Sequence, residues 1–335
     1  MREKGIDAVK ILASFLVVVL HTMTLGLQDD NNNLGLFIYY MGTFAIPLFF
    51  IVTGYLQLRK EKISLKYCFK KIGNIICVAF IYNLILGIGF IILKNEFINP
   101  ITVTFENLFF QKGLLYHFWF LGTLIVFYLV LPLLIRIFRS NKMYKILTIG
   151  LIIISVTVDL LNIRNNAIGN AIIKDTIFQP LRLWSWFMYI CIGGAIAKIK
   201  ITKNIQKKYL WIITIMFIII SVIVEYFFAM NLYGNKYAEN FYDNILIIVT
   251  SILVFILLKD INYGNYGNYG KIEILGKLVM GIYIFHPIII KGIKIFYAFD
   301  NSILNLLMLA IVYTVSLLIS YIISKIPLLN KLIKI

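Results

Sequence analysis

Three ionisable side chains interrupt the first apolar run of the chain: Asp7, Lys10 and His21. Titratable groups within a membrane span are costly, so they are candidates for function. Lys10 and His21 are eleven residues apart, which on an α-helix places them on one face, roughly 16 Å apart along the axis. An imidazole can act as a general base near neutral pH. A lysine that extends to the membrane surface and a histidine bonded to a neighbouring helix would also explain the pattern.

The other two histidines each lie in an aromatic segment. His117 belongs to the sequence YHFWF at residues 116–120, which also contains Trp119. This segment fits a substrate site, and it fits an interfacial aromatic belt as well. His286 precedes Pro287 in the middle of an apolar run, where the proline removes a backbone donor. A histidine that caps a kink and a functional histidine are equally compatible with this sequence.

Further charged residues lie in or beside the apolar runs. Glu225 has only apolar neighbours nearby, so it must be protonated, paired or facing a watery cavity. Arg182 begins a run beside Trp184. Lys70 and Lys71 stand at the start of another run. Basic side chains in such places can hold a phosphate-rich ligand, and the topology of a membrane protein explains them equally well.

The composition indicates a bilayer environment. Of the 335 residues, 61% are hydrophobic and only 14% are charged, whereas soluble domains have about 25% charged residues. The net charge of +17 would suit nucleic acid, but the basic residues lie between apolar runs and therefore indicate topology. Cys68, Cys77 and Cys191 have no spacing typical of a disulfide framework or a metal site.

We predict an all-α, polytopic membrane helix bundle that forms one domain over residues 1–335. One span needs roughly 20 apolar residues, and the predicted spans are residues 6–27, 35–58, 69–93, 114–138, 143–162, 180–199, 208–230, 241–259, 272–295 and 302–325. We interpret the first as a retained helix, because charged residues interrupt it and no cleavage motif follows. Residues 94–112 are predicted to be a long connection, and residues 262–270, with three Asn-Tyr-Gly repeats, a flexible loop.

Loop charge predicts the orientation of the bundle. Lysine and arginine concentrate in the loops that follow the even-numbered spans and at the two ends of the chain. By the positive-inside rule, both termini are expected in the cytoplasm. The abundance of Ile, Lys and Asn is typical of an AT-rich genome, and we expect the protein in a bacterial cytoplasmic membrane.

Several motifs resemble the acyltransferase-3 family of membrane proteins. Its first helix typically has Asp, then Arg three residues later, then His, and Asp7, Lys10 and His21 follow this order with Lys in place of Arg. The sequence PLFFIVTGY at residues 47–55 is similar to the next motif, with Thr53 where Ser is usual. Residues 116–120 and 283–287 are similar to later motifs. The family's paired basic motif is represented by Lys71 and Asn74.

This resemblance implies an acyltransferase that transfers groups other than amino-acyl groups. It implies acyl-CoA, usually acetyl-CoA, as the donor and no metal, with a hydroxyl of a cell-surface glycan or its lipid-linked precursor as acceptor. His21 would be the general base or would accept the acyl group transiently, and Asp7 or Glu225 would hold a counter-charge. The expected CoA contacts are Lys10, Lys70, Lys71 and Arg182, and the expected substrate contacts are His117, Trp119 and His286.

An alternative function follows from a second resemblance. The chain is also similar to the membrane half of vancomycin-resistance-type serine racemases, which implies a transporter or exporter of a small, amino-acid-like molecule. For either function the expected partners are membrane lipid and the small or glycan substrate, without nucleic acid. A homodimer remains open at this stage.

Overall fold

The computed structural model describes residues 3–23, 33–199, 207–233, 236–260, 269–298 and 301–334. These residues form helices and connecting turns, with no strand among them. The α-helices are α1 Lys4–Met23, α2 Asn33–Met41, α3 Ala45–Gln57, α4 Leu65–Lys94, α5 Pro100–Phe109, α6 Trp119–Arg139, α7 Asn141–Ala167, α8 Ile173–Thr176, α9 Leu183–Lys198, α10 Lys207–Phe228, α11 Ile245–Lys259, α12 Tyr269–Ile293 and α13 Ser302–Lys325.

These helices confirm the predicted membrane bundle. Within the described residues, 8 helical segments of at least 18 residues are apolar enough to cross a membrane. The helices α9 and α11, of 16 and 15 residues, occupy the two remaining predicted spans. The second predicted span consists of α2, a 3₁₀ turn at Gly42–Phe44 and α3. Most of the predicted loop at 262–270 lies outside the described residues.

The connection at residues 94–112 contains a helix that we had predicted as loop. Asn95 ends α4 in the left-handed conformation, at φ 57°. Asn99 then accepts a hydrogen bond from the backbone N–H of Ile101, and Pro100 occupies the first turn of α5. An asparagine N-cap followed by proline is a strong helix start. The short helix packs against α4 and α6, and so it covers the end of the bundle near His117.

The first helix lies inside the bundle. It packs against α3, α11, α12 and α13, and Val9, Ala13 and Val18 are completely or almost completely buried. The helices α7, α10 and α13 instead expose large apolar side chains, such as Ile153, Ile223 and Leu318. In a bilayer these side chains contact lipid, because each helix satisfies its own backbone hydrogen bonds.

Two glycines allow α3 and α9 to cross closely. A Cβ atom at Gly54 would lie 1.9 Å from the carbonyl oxygen of Ile190, and one at Gly193 would lie 2.1 Å from that of Ile51. At each glycine, the backbone of the other helix therefore occupies the space that a side chain would need. Small residues at such crossings are typical of membrane helix pairs, where close van der Waals contact drives association.

Candidate active site

The fold brings all three histidines of the chain together. The ring centroids of His21 and His286 are 5.0 Å apart, and those of His117 and His286 are 5.4 Å apart. These residues come from α1, from the 3₁₀ turn Tyr116–Phe118 and from α12. The separate interpretations of His117 as a belt residue and His286 as a cap miss this cluster, which depends on how three distant helices pack.

Hydrogen bonds orient two of the histidine rings. Tyr116 Oη lies 2.9 Å from His21 Nδ1. His286 Nδ1 lies 3.0 Å from the carbonyl oxygen of Ile282, and since a carbonyl only accepts, this nitrogen must carry the proton. His286 Nε2 is therefore the ring's acceptor, and it is buried with no hydrogen-bond partner among the described residues.

His117 is held through its backbone, and its ring nitrogens are left free. Tyr283 donates a hydrogen bond from its hydroxyl to the carbonyl oxygen of His117. The imidazole is buried, and neither of its nitrogens has a hydrogen-bond partner within the described part of the chain. Buried polar atoms are normally paired, so unpaired ones within a cluster of histidines are a sign of function or of an absent ligand.

One face of the cluster opens into a small cavity, here called the His21 cavity, of about 160 Å³. His21, Tyr116 and Trp119 line it, together with Gln111 and Glu239. Trp119 is fixed by the ring of Trp186, at a centroid distance of 5.0 Å. A concave pocket with a few convergent polar groups is the usual form of a substrate site.

A larger cavity, here called the Lys10 cavity, opens at the opposite end of the bundle and measures about 550 Å³. Lys10, Lys277 and Lys334 line it, along with apolar side chains of α3, α6 and α12. Asp7 forms an ion pair with Lys10 at 3.7 Å. Its carboxyl packs against Gly276, where a Cβ atom would approach to 2.7 Å. The cavity thus combines an apolar wall with a basic rim.

Two aromatic rings line the Lys10 cavity on the side of the histidine cluster. Phe120 and Tyr283 line the Lys10 cavity, with ring centroids 5.9 Å apart. On the other side, the ring of Tyr283 lies 5.0 Å from that of His117, and Trp119, next to Phe120 in sequence, lines the His21 cavity. We call this pair the Phe120–Tyr283 layer. No residue lines both cavities among those described.

Four of the predicted site residues line neither cavity and belong neither to the histidine cluster nor to the Asp7–Lys10 pair. Glu225 is buried and accepts a 2.6 Å hydrogen bond from Thr43 Oγ1. Arg182 donates to three backbone carbonyls, those of Ile177, Lys174 and Glu239. Lys70 is exposed and Lys71 half-buried on α4. The structure therefore brings Lys10, and not these three basic residues, to the larger cavity.

A buried ion network was missed by the sequence reasoning. Lys174 is 1% exposed, with Nζ 3.1 Å from Asp159 Oδ1 and 3.5 Å from Asp243 Oδ2. It joins α7, α8 and the start of α11. Asp159 and Asp243 both fall inside predicted spans, so the rule that selected Glu225 would have found them. No comparable feature of the sequence pointed to four further residues that line the cavities: Gln111, Glu239, Lys277 and Lys334. No group suited to a metal ion occurs within the described ranges.

These features define a class: a polytopic membrane protein with a buried histidine cluster between two cavities. Residues 3–325 match the family described as "Acyltransferase domain". The chain belongs to this acyltransferase-3 family. It is also 22% identical over 333 residues to an amino-acid racemase from Enterococcus faecalis, an alignment that covers 92% of this chain and 45% of the relative. The chain thus spans less than half of that relative's length. No solved structure matches it.

Proposed function

We propose that this membrane acyltransferase moves an acyl group, in particular acetyl, from cytoplasmic acyl-CoA to a hydroxyl of a cell-surface glycan or its precursor. The observation that carries the proposal is the position of His21. It lines one cavity and lies at a histidine cluster that adjoins the Phe120–Tyr283 layer of the lysine-lined cavity. Donor and acceptor would thus approach the same imidazole from opposite ends.

The Lys10 cavity suits the donor. The start of α1 and the residues after α13 lie at this end, since Lys10 and Lys334 both line the cavity. With the termini inside, as the loop charges predict, the cavity opens to the cytoplasm. Lys10, Lys277 and Lys334 would attract the phosphates of CoA, and the apolar wall would accept its pantetheine arm and acyl group.

His21 would act as the general base. If Nδ1–H donates to Tyr116, Nε2 keeps its lone pair and can take the proton of the acceptor hydroxyl. The hydroxyl oxygen attacks the thioester carbonyl, a C–O bond forms and the C–S bond breaks. The proton then passes from Nε2 to the CoA sulfur. The one N–H of neutral His117 is available to stabilise the oxyanion. The rings of Phe120 and Tyr283 must shift to let the thioester pass.

The experiment compares wild type, His21→Ala and Lys70→Ala in proteoliposomes supplied with acetyl-CoA. We expect His21→Ala to lose acceptor-dependent CoA release by at least about 100-fold, the usual contribution of a general base, while Lys70→Ala keeps most of it. Mass spectrometry of surface glycans from a deletion strain carrying each variant identifies the product. Unchanged glycan acylation with folded His21→Ala protein would refute the proposal.

Transport of a small molecule is the weaker alternative. The relative is named a racemase, and racemisation does not favour transport. The two cavities also share no lining residue among those described. Substrate flux in proteoliposomes without acyl-CoA, accompanied by no CoA release when acyl-CoA is added, would support transport instead.

A further inference from the structure

The His21 cavity is lined by an unusual set of side chains. Besides His21 and the tyrosine hydroxyls, its polar side chains include one carboxylate, Glu239, and one amide, Gln111, and neither lysine nor arginine lines it among the described residues. Most of the remaining wall is aromatic. The rings are those of Tyr39, Tyr116, Trp119, Tyr237 and Tyr242. A carboxylate among aromatic faces is the environment in which proteins hold an organic cation, through ion pairing and cation–π attraction.

Glu239 is fixed in place at this cavity. It belongs to the 3₁₀ turn Ala238–Asn240, and its Oε1 accepts a 2.8 Å hydrogen bond from Gln111 Nε2. Removal from water raises the pKa of Glu239, although the nearby Arg182 guanidinium opposes this effect. Arg182 itself donates to the backbone carbonyl of Glu239. A cation in the cavity would therefore compensate a carboxylate that has lost part of its hydration.

Charged groups of both signs lie behind the wall of the cavity. Next to Glu239 lie Arg182 and the network of Lys174 with two aspartates. Asp175 also acts on Glu239. Lys112 and Lys236 adjoin lining residues in sequence but do not line the cavity. Among the described residues of the lining itself, the carboxylate of Glu239 is accompanied by no lysine or arginine, and a cleft lined by one sign attracts the opposite charge.

We propose that the His21 cavity binds an acceptor group that carries a protonated amine close to the hydroxyl to be acylated. The amine lies against Glu239 and the aromatic rings, which places the hydroxyl toward His21 on the same cavity wall. This inference rests on the proposed acyl transfer for the role of the hydroxyl. The recognition of the amine stands on the cavity alone. The acceptor class is thus narrowed from any glycan hydroxyl to an amino-alcohol arrangement, as in an amino sugar.

Glucosamine and glucose are the matched probes, because they differ only in an amine and a hydroxyl. Binding to the purified full chain in detergent, without any donor, is measured by calorimetry. We expect glucosamine to bind about tenfold more tightly than glucose, the ratio that a single cation–π and ion-pair contact supplies. Equal affinities in the wild type would overturn the proposal without any variant.

Two conservative variants locate the preference. Glu239→Gln removes the charge and keeps a side chain that Gln111 can bond, so the preference for glucosamine is expected to vanish. Glu96→Gln changes an exposed carboxylate of another loop and is expected to keep it. A preference that survives in Glu239→Gln would refute the assignment. Failure of acyl transfer to either sugar, with the binding preference intact, would count against the proposed function and not against this site.

Discussion

Among single residues, Glu239 makes the binding of a cation in the His21 cavity depend on pH. Its carboxylate is ionised above its pKa, and the loss of hydration raises that pKa above the ordinary value of 4.5. Binding of a cation is therefore lost as pH falls through the raised pKa, at a higher pH than an exposed glutamate would lose it. Below neutral pH the amine of the probe stays protonated, so only the protein titrates.

We expect the affinity for glucosamine to fall as the pH is lowered from neutral, at a higher pH than for an exposed carboxylate, while the affinity for glucose stays constant. Calorimetric titrations at several pH values measure both. In Glu239→Gln the glucosamine curve is expected to be flat. A curve that is equally steep in this variant would assign the titration to another group, with His21 as the first to test because it lines the same cavity.

Predictions for single residues were limited because the packing of the helices decides which titratable side chains come together. The rule that titratable groups in spans are functional selected His21, His286 and Glu225 as candidates. Two of these meet, and Glu225 pairs with Thr43 elsewhere in the core. The spacing of residues along one helix does not determine how a neighbouring helix is rotated against it. The histidine cluster could therefore not be derived from the sequence.

At the scale of elements, the crossing of α3 and α9 permits a direct test. Gly54→Leu would place a side chain where the backbone of Ile190 already lies, so α3 must move away. We expect a loss of about 3 kcal/mol and a clear drop in the melting temperature in detergent. Gly73→Leu is the matched control, because nothing lies within 4 Å of a Cβ atom at Gly73. Equal effects of both substitutions would contradict the close crossing.

The helices themselves were largely predictable. A span requires a long apolar run, and this requirement located all ten helices or helix pairs within a few residues. The sequence reasoning missed α5 and the 3₁₀ break at Gly42–Phe44. Both are short, and their existence depends on local caps and on the helices that they contact. The length of an apolar run in the sequence gives no information about either.

At the scale of the whole molecule, the predicted orientation places the Lys10 cavity in the cytoplasm. Lys62 and Glu96 are both exposed, in the connections that precede and follow α4, and they serve as reporters. With the three native cysteines replaced, we expect Glu96→Cys to react with an impermeant maleimide in intact spheroplasts. Lys62→Cys is expected to react only after permeabilisation. The reverse pattern would invert the assignment of donor and acceptor sides.

The Phe120–Tyr283 layer also has an electrical consequence. A proton that passed between the two cavities would cross part of the membrane voltage, and each 100 mV is worth about 2.3 kcal/mol per elementary charge. The ring of Tyr283 adjoins His117 and His286. We therefore infer that the bulk of Tyr283 opposes the passage of protons past these histidines between turnovers.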